Sequence, residues 1–300
     1  MSLLAGSHPC HGGKSMLVIG GDGTLGRALV ATGNSGAVPV WYTSRRRQTL
    51  GQQGFHLDLS EPADQWRLPQ QEFSSVVFAA GVISIQDCEA RPEVTRHVNV
   101  LQPLALAQRL KDQGAFVVCL SSSTVFDGAS AFAKTTDATR PTCEYGRQKL
   151  ELEHRLLALG SGVAVIRLSK VIAFNNALFL GWKHDLLSGN VIRPYSDMAV
   201  APVSVAFAVA VVRQIARTRT SGLHHVSAVE DHSYADLANY MARSLQAPAE
   251  LVCPASVGYR PSGFCPRYAA LDCSGLGKLG FSPPRASEAV DQFLLDALPI

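Results

Sequence analysis

Short apolar runs, each closed by glycine or polar turn residues, alternate with segments of helical periodicity through the first half of the chain. Met16–Ile19 (MLVI), residues 37–43 (AVPVWYT), the FHLDLS segment ending near Asp58, Val76–Gly81 (VVFAAG) and Phe116–Ser122 (FVVCLSS) each read as a buried strand. After the first of them, Leu25, Ala28 and Leu29 take the spacing of one helix face. Strands separated by helical segments predict an α/β fold built on a parallel, doubly wound sheet. Val163–Leu168 (VAVIRL) extends the series to a sixth strand, and a helix is expected from about Tyr145 to Leu159. From Ser169 the periodicity loosens. Gly222–Ser227 (GLHHVS) then reads as a strand that rejoins the main sheet, and Asp236–Leu245 as an amphipathic helix. The expected layout is a tail at 1–13, a large domain at 14–172 and 199–228, and a smaller interleaved domain at 173–198 and 229–300. The longest apolar stretch, Met198–Ile215, is broken by Pro202 and Ser204 and has no flanking charge pattern. It predicts a strand end and a buried helix rather than a membrane span.

The first strand runs into Gly20, Gly23 and Gly26 in the order strand, glycines, helix. Gly20 permits the tight turn, Gly23 lets the backbone approach a pyrophosphate, and Gly26 brings the helix close to the sheet. Thr24 and Leu25 open that helix, whose N–H groups face the anion. The second strand ends in Ser44, Arg45, Arg46 and Arg47, where an NAD site usually places a carboxylate on the ribose. Guanidinium forks match a phosphate, so the cofactor expected is NADP(H), with Ser44 and Arg45 as leading contacts and Arg46 beside them. Asp58, next to Leu59, is placed to reach the adenine amino group. The small residues Ala79, Ala80 and Gly81 suit a backbone passing beneath a flat cofactor ring.

The stretch from Leu120 to Lys149 carries the candidate chemistry. A serine cluster (LSSSTVFDG) closes an apolar run, and Tyr145 and Lys149 follow four apart in EYGRQK. Residues so spaced share a helix face, and an ammonium beside a phenol favours the phenolate. The tyrosine then serves as a general acid or base, with a serine hydroxyl holding the reacting oxygen.

Together GGDGTLG, TSRR, LDLS, FAAGV, DCEARPE with HVNV, SSSTVFDG and YGRQKLELE resemble the extended short-chain dehydrogenases/reductases. The similarity is greatest to the dTDP-4-dehydrorhamnose reductase group of sugar-nucleotide ketoreductases, and it covers nearly the whole chain. It implies a Rossmann-type cofactor domain and a smaller substrate domain. It also implies Tyr145 as catalytic acid/base, Lys149 as its partner on the nicotinamide ribose, and Ser122 as the third member, with Ser123 the alternative register. Asn99 of HVNV joins the cofactor set on the same ground. The implied reaction is reduction of a 4-keto nucleotide-sugar by NADPH. Implied substrate contacts are Ser123, Trp182 and Arg193, with Arg260 and Arg267 from the RPSGF region, and a homodimer is expected through the Tyr145 helix. In one respect the chain departs from the group: S-T-D-[YF]-V-F-D-G is replaced by S-S-S-T-V-F-D-G, so Ser123 and Thr124 stand where an acid and an aromatic face the substrate. Two alternatives use the same residues: an epimerase or dehydratase that recycles its cofactor, and a partner protein like the regulatory subunit of methionine adenosyltransferase.

Composition narrows the surroundings. A chain of 300 residues with 47% hydrophobic and 17% charged residues is an ordinary soluble globule. A net charge of +3 is too small to argue for nucleic acid. Seven scattered cysteines without a C-x-x-C pair suggest neither a disulfide framework nor zinc, and hence a reducing, cytoplasmic setting. The start, MSLLAGSHPCHGGKS, has no basic onset and too short an apolar run for a signal peptide. His8, Cys10 and His11 read as part of a loose tail rather than a metal site.

Overall fold

The computed structural model describes residues 15–34, 38–69, 71–258 and 264–297. Its core is a seven-stranded, all-parallel sheet of β1 (Ser15–Ile19), β2 (Val40–Ser44), β3 (Gly54–His56), β4 (Phe73–Phe78), β5 (Phe116–Ser122), β6 (Val163–Leu168) and β10 (Gly222–Val226). The spatial order is β10-β6-β5-β4-β1-β2-β3. The order reverses beside β1, so the crevice at the strands' carboxyl ends opens between β1 and β4.

Alternation along each strand feeds two apolar layers. Met16, Val18, Phe116, Val118, Ala164 and Ile166 face α1 (Thr24–Asn34) and α7 (Val205–Thr218). Leu17, Ile19, Val117, Cys119, Val163 and Val165 face the other way, onto α4 (Gln102–Asp112) and α5 (Glu144–Leu157). Strands buried on both faces read as continuous apolar runs, which is why β1, β5 and β6 were legible in the sequence.

The second strand starts at Val40, three residues later than expected, and Ala37 lies outside the described residues. The third is a three-residue edge strand that ends before Asp58. The fourth begins earlier, at Phe73, because Ser74 and Ser75 hid its onset, and Ala79–Gly81 have already left it. The segment after β4 contains α2 (Ile85–Ala90) and α3 (Pro92–Arg96). α3 runs through a π-turn at His97–Leu101 directly into α4.

A smaller apolar core gathers chain from both sides of β10. It combines α6 (Ala177–Leu187), α8 (Tyr234–Ser244) and α9 (Ala286–Asp296) through Phe179, Leu186, Leu237, Met241, Val290 and Phe293. Two-residue strands stitch it together: β7 (Val171–Ile172) beside β9 (Val203–Ser204), and β8 (Ala199–Val200) beside β11 (His232–Ser233). The apolar stretch from Met198 thus holds β8, β9 and α7. Among the described residues no helix is long and apolar enough to cross a membrane, and no group of His, Cys, Asp or Glu is placed to hold a metal ion. The expected tail, with His8, Cys10 and His11, lies outside the described residues.

Candidate active site

At the carboxyl end of β1 the chain turns through Gly20 with φ +90°, a conformation that L side chains rarely adopt. A Cβ on Gly20 would meet Ala80 at 2.7 Å, and one on Gly26 would meet the Gly20 carbonyl oxygen at 2.0 Å. Gly23 differs, since a Cβ there would find no protein atom nearer than 3.5 Å. Two glycines are therefore fixed by the protein's own packing, whereas at the third a Cβ would make only ordinary contact with the Gly20 carbonyl oxygen. The turn is anchored by buried Thr43 of β2, whose carbonyl accepts from Gly21 N at 2.7 Å and whose hydroxyl accepts from Gly20 N at 3.1 Å.

Beyond β2, Ser44 is only 1% exposed, and its hydroxyl accepts from Arg46 N at 2.9 Å. It builds the turn rather than presenting a free hydroxyl, which corrects its expected role as a leading contact. Arg45 and Arg46 are exposed, and Arg46 Nε lies 3.8 Å from the Asp22 carboxylate inside the glycine loop. Asp58 is half-buried, and its carboxylate accepts from Ser60 N and Oγ, each at 2.8 Å. Burial pushes the Asp58 carboxyl up, but the Ser60 donors and the Arg45 charge together hold it below its ordinary value. The Leu59 side chain belongs to the core, leaving only its backbone toward the crevice.

Asn99 has a different task from the one expected. Its side-chain oxygen accepts from Val82 N at 2.7 Å, and its amide donates to Val82 O and Gln148 Oε1, each at 2.9 Å. From the π-turn it shapes the Gly81–Val82 bend and ties it to α5. Gln148 completes the tie by donating to Thr95 Oγ1 at 2.9 Å and Pro92 O at 3.1 Å. A residue saturated in this way positions the backbone beneath the crevice instead of reaching a ligand itself.

Tyr145 sits in the first turn of α5, and Lys149 one turn on, with its ammonium 5.7 Å from the Tyr145 ring centroid. Lys149 is buried and donates to the Leu120 carbonyl of β5 at 3.0 Å. The helix comes this close because residue 146 is glycine: a Cβ there would lie 2.3 Å from the Thr124 carbonyl oxygen. Ser122, half-buried at the end of β5, accepts from Thr124 N at 3.2 Å and keeps its hydroxyl proton to donate. Ser123 is half-buried in the same turn, and the buried Thr124 hydroxyl has no hydrogen-bond partner among the described residues.

The expected substrate contacts fare unevenly. Trp182 is buried in the smaller core, against Phe179 at 5.1 Å and Tyr234 at 6.3 Å, so its ring is not available for stacking on a base. Its helical spacing with Phe179 and Leu186 is the signature of a core face, and that reading overturns its expected role. Arg193 is exposed, Arg267 lies over the Tyr268 ring at 5.4 Å, and Arg260 lies outside the described residues.

A family model for the RmlD substrate-binding domain matches residues 14–298. The chain belongs to this family. It is 27% identical to methionine adenosyltransferase 2 subunit beta of Xenopus tropicalis, over 95% of this chain and 89% of that one. It is also 27% identical to the dTDP-4-dehydrorhamnose reductase of Sinorhizobium fredii, over 71% of this chain and 76% of that one. Among solved structures, the Bacillus anthracis dTDP-4-dehydrorhamnose reductase in complex with NADP superposes with a TM-score of 0.81 at 18% identity, covering 95% of this chain and 98% of that one. MoeE5 in complex with UDP-glucose and NAD superposes with a TM-score of 0.78 at 20% identity, covering 93% and 97%. The doubly wound fold is thus that of the family's solved members.

Three members of the site were missed in the sequence. Gly146 carried a signal, as a glycine inside a helical pattern marks a close approach. Thr43 and Gln148 carried none, because a buried hydroxyl and a buried amide are recognised only by what they touch.

Proposed function

We propose that this protein is an NADP(H)-dependent reductase of a nucleotide-linked 4-keto sugar. The observation that carries the reading is the seating of Lys149 between the Leu120 carbonyl, at 3.0 Å, and the Tyr145 ring. An ammonium so held stabilises the phenolate that remains after Tyr145 has given up its proton. Residue by residue, the crevice fits a dinucleotide. The Gly23 backbone and the α1 N–H groups at Thr24 and Leu25 would take the pyrophosphate. Exposed Arg45 and Arg46 would take a 2′-phosphate, Asp58 the adenine edge, the Ala79–Gly81 backbone the ring, and Lys149 the ribose. Bound NADPH supplies the hydride to the ketone carbon. Tyr145 protonates the developing alkoxide, and Ser122 donates to the same oxygen and fixes its direction. Ser123, half-buried, and Arg193, exposed, are assigned to the sugar side.

The test is NADPH consumption with a panel of 4-keto nucleotide sugars, wild type beside Tyr145→Phe. Expected is a loss of at least about 100-fold in kcat with NADPH binding retained, since general acid catalysis contributes about 10²–10⁴-fold. Wild-type inactivity across the panel would overturn the reading. A second reading, a subunit of a larger assembly, is favoured by the near full-length similarity to subunit beta of methionine adenosyltransferase 2 and by Ser123 where the reductases carry an acid. Co-purification with a larger partner and no turnover on any ketone would select it.

A further inference from the structure

The serines at the end of β5 and in the turn after it have separate tasks. Ser121 is buried, and its hydroxyl donates to the carboxylate of Glu153, on α5. Glu153 is 0% exposed and is gripped by Arg167 of β6, 3% exposed, through Nε at 3.1 and 3.0 Å and a terminal nitrogen at 2.7 Å. The guanidinium lies over the Phe126 ring at 4.9 Å, with its other terminal nitrogen 3.4 Å from His225 Nε2. His225 Nδ1 in turn lies 3.2 Å from the Asp272 carbonyl. One tautomer satisfies this arrangement: Nδ1–H donates to Asp272, and Nε2 accepts from Arg167.

Tyr145, Lys149 and Glu153 are spaced by four and form one stripe along α5. Consecutive β5 residues hold successive turns of that stripe, since Leu120 accepts from Lys149 and Ser121 donates to Glu153. We infer that Ser121, Glu153 and Arg167 are positioning residues, a buried ionic clamp that fixes the rotation of α5 and so the placement of Tyr145 and Lys149. This rests on the proposed reductase reading. Stability alone does not call for the clamp, because a buried ion pair is roughly matched or bettered by an apolar pair of similar volume. Leu152 and Leu156 already supply an apolar contact between α5 and the sheet. Apolar contact is non-directional, whereas a bidentate ion pair permits one orientation. A reactive group misplaced by about 1 Å costs about 100-fold in rate.

The deciding variant is Glu153→Leu/Arg167→Met, which removes both charges and keeps an apolar filling, with Ser121→Ala beside it. Two quantities are read: kcat and KM on a 4-keto nucleotide sugar, and the position of the Tyr145 ¹³Cζ resonance at fixed pH, assigned by its loss in Tyr145→Phe. Expected for the double variant is a melting temperature at or above wild type, kcat lowered about 100-fold, KM little changed, and a displaced Tyr145 ¹³Cζ resonance. Ser121→Ala deletes a single oxygen and is expected to lower kcat about tenfold in the same pattern, which keeps the test decisive if the double variant does not fold. Wild-type kcat together with an unmoved Tyr145 ¹³Cζ resonance in a folded variant would overturn the clamp. If wild type itself turns over no keto sugar, the reductase reading fails, and the Tyr145 ¹³Cζ resonance still decides whether the clamp positions the phenol.

Discussion

Helices α5 and α7 pack on opposite faces of the same sheet, are equally long, and are held in opposite ways. α7 buries Val205, Ala208, Val209, Val211, Val212, Ile215 and Ala216 and no polar side chain. α5 buries only two large apolar residues, Leu152 and Leu156, alongside Gln148, Lys149 and Glu153. An apolar helix face gains free energy in proportion to area and tolerates small shifts. A face of hydrogen-bonded polar groups tolerates none, since each displaced group leaves a buried partner unsatisfied. The helix that carries the candidate chemistry is the one fixed by direction, and the helix that only covers the sheet is fixed by area.

That contrast can be broken from either side. The largest effect is expected from Glu153→Ala, which leaves Arg167 buried without its partner and should cost about 3–5 kcal/mol in chemical denaturation. Next comes pH. Burial first, and then the Arg167 cation, push His225 from 6.5 down to about 4. Below the unfolded value the unfolded chain takes up a proton that the folded one refuses, so this contribution is full above about pH 6.5 and is lost as pH falls toward 4. Unfolding at pH 7 and pH 5 should differ by about 2 kcal/mol from this group, and His225→Gln should remove that part of the difference. Gly146→Ala sets a methyl 2.3 Å from the Thr124 carbonyl and should destabilise by about 1–3 kcal/mol, against a gain if the helix merely preferred alanine. Ile215→Val in α7 should cost least, about 1 kcal/mol, and leave the pH dependence unchanged.

Legibility followed the same division. β1, β5, β6 and the glycine turn announced themselves, because a doubly buried strand is a run of apolar residues and a backbone forced to positive φ selects glycine. The Tyr145–Lys149 pair was legible because both residues lie on one helix, so their spacing already is their geometry. The bounds of β3, expected to run to near Asp58, and the π-turn at Asn99 were not, since a short edge strand and a single wide turn leave no period to count. Trp182 misled for a related reason: a tryptophan in an irregular stretch reads as a stacking platform until the packing of Phe179 and Tyr234 shows its ring enclosed.

By itself the sequence determined the doubly wound sheet, the glycine turn after β1, the basic end of β2 and the pairing of Tyr145 with Lys149 on one helix face, all of which depend on local periodicity or on residues within one element. Only the tertiary structure decided which serine serves which partner, that Ser44 and Asn99 shape turns, and that Glu153 meets Arg167. Those outcomes depend on contacts between elements dozens of residues apart, where burial and direction, rather than residue type, assign the role.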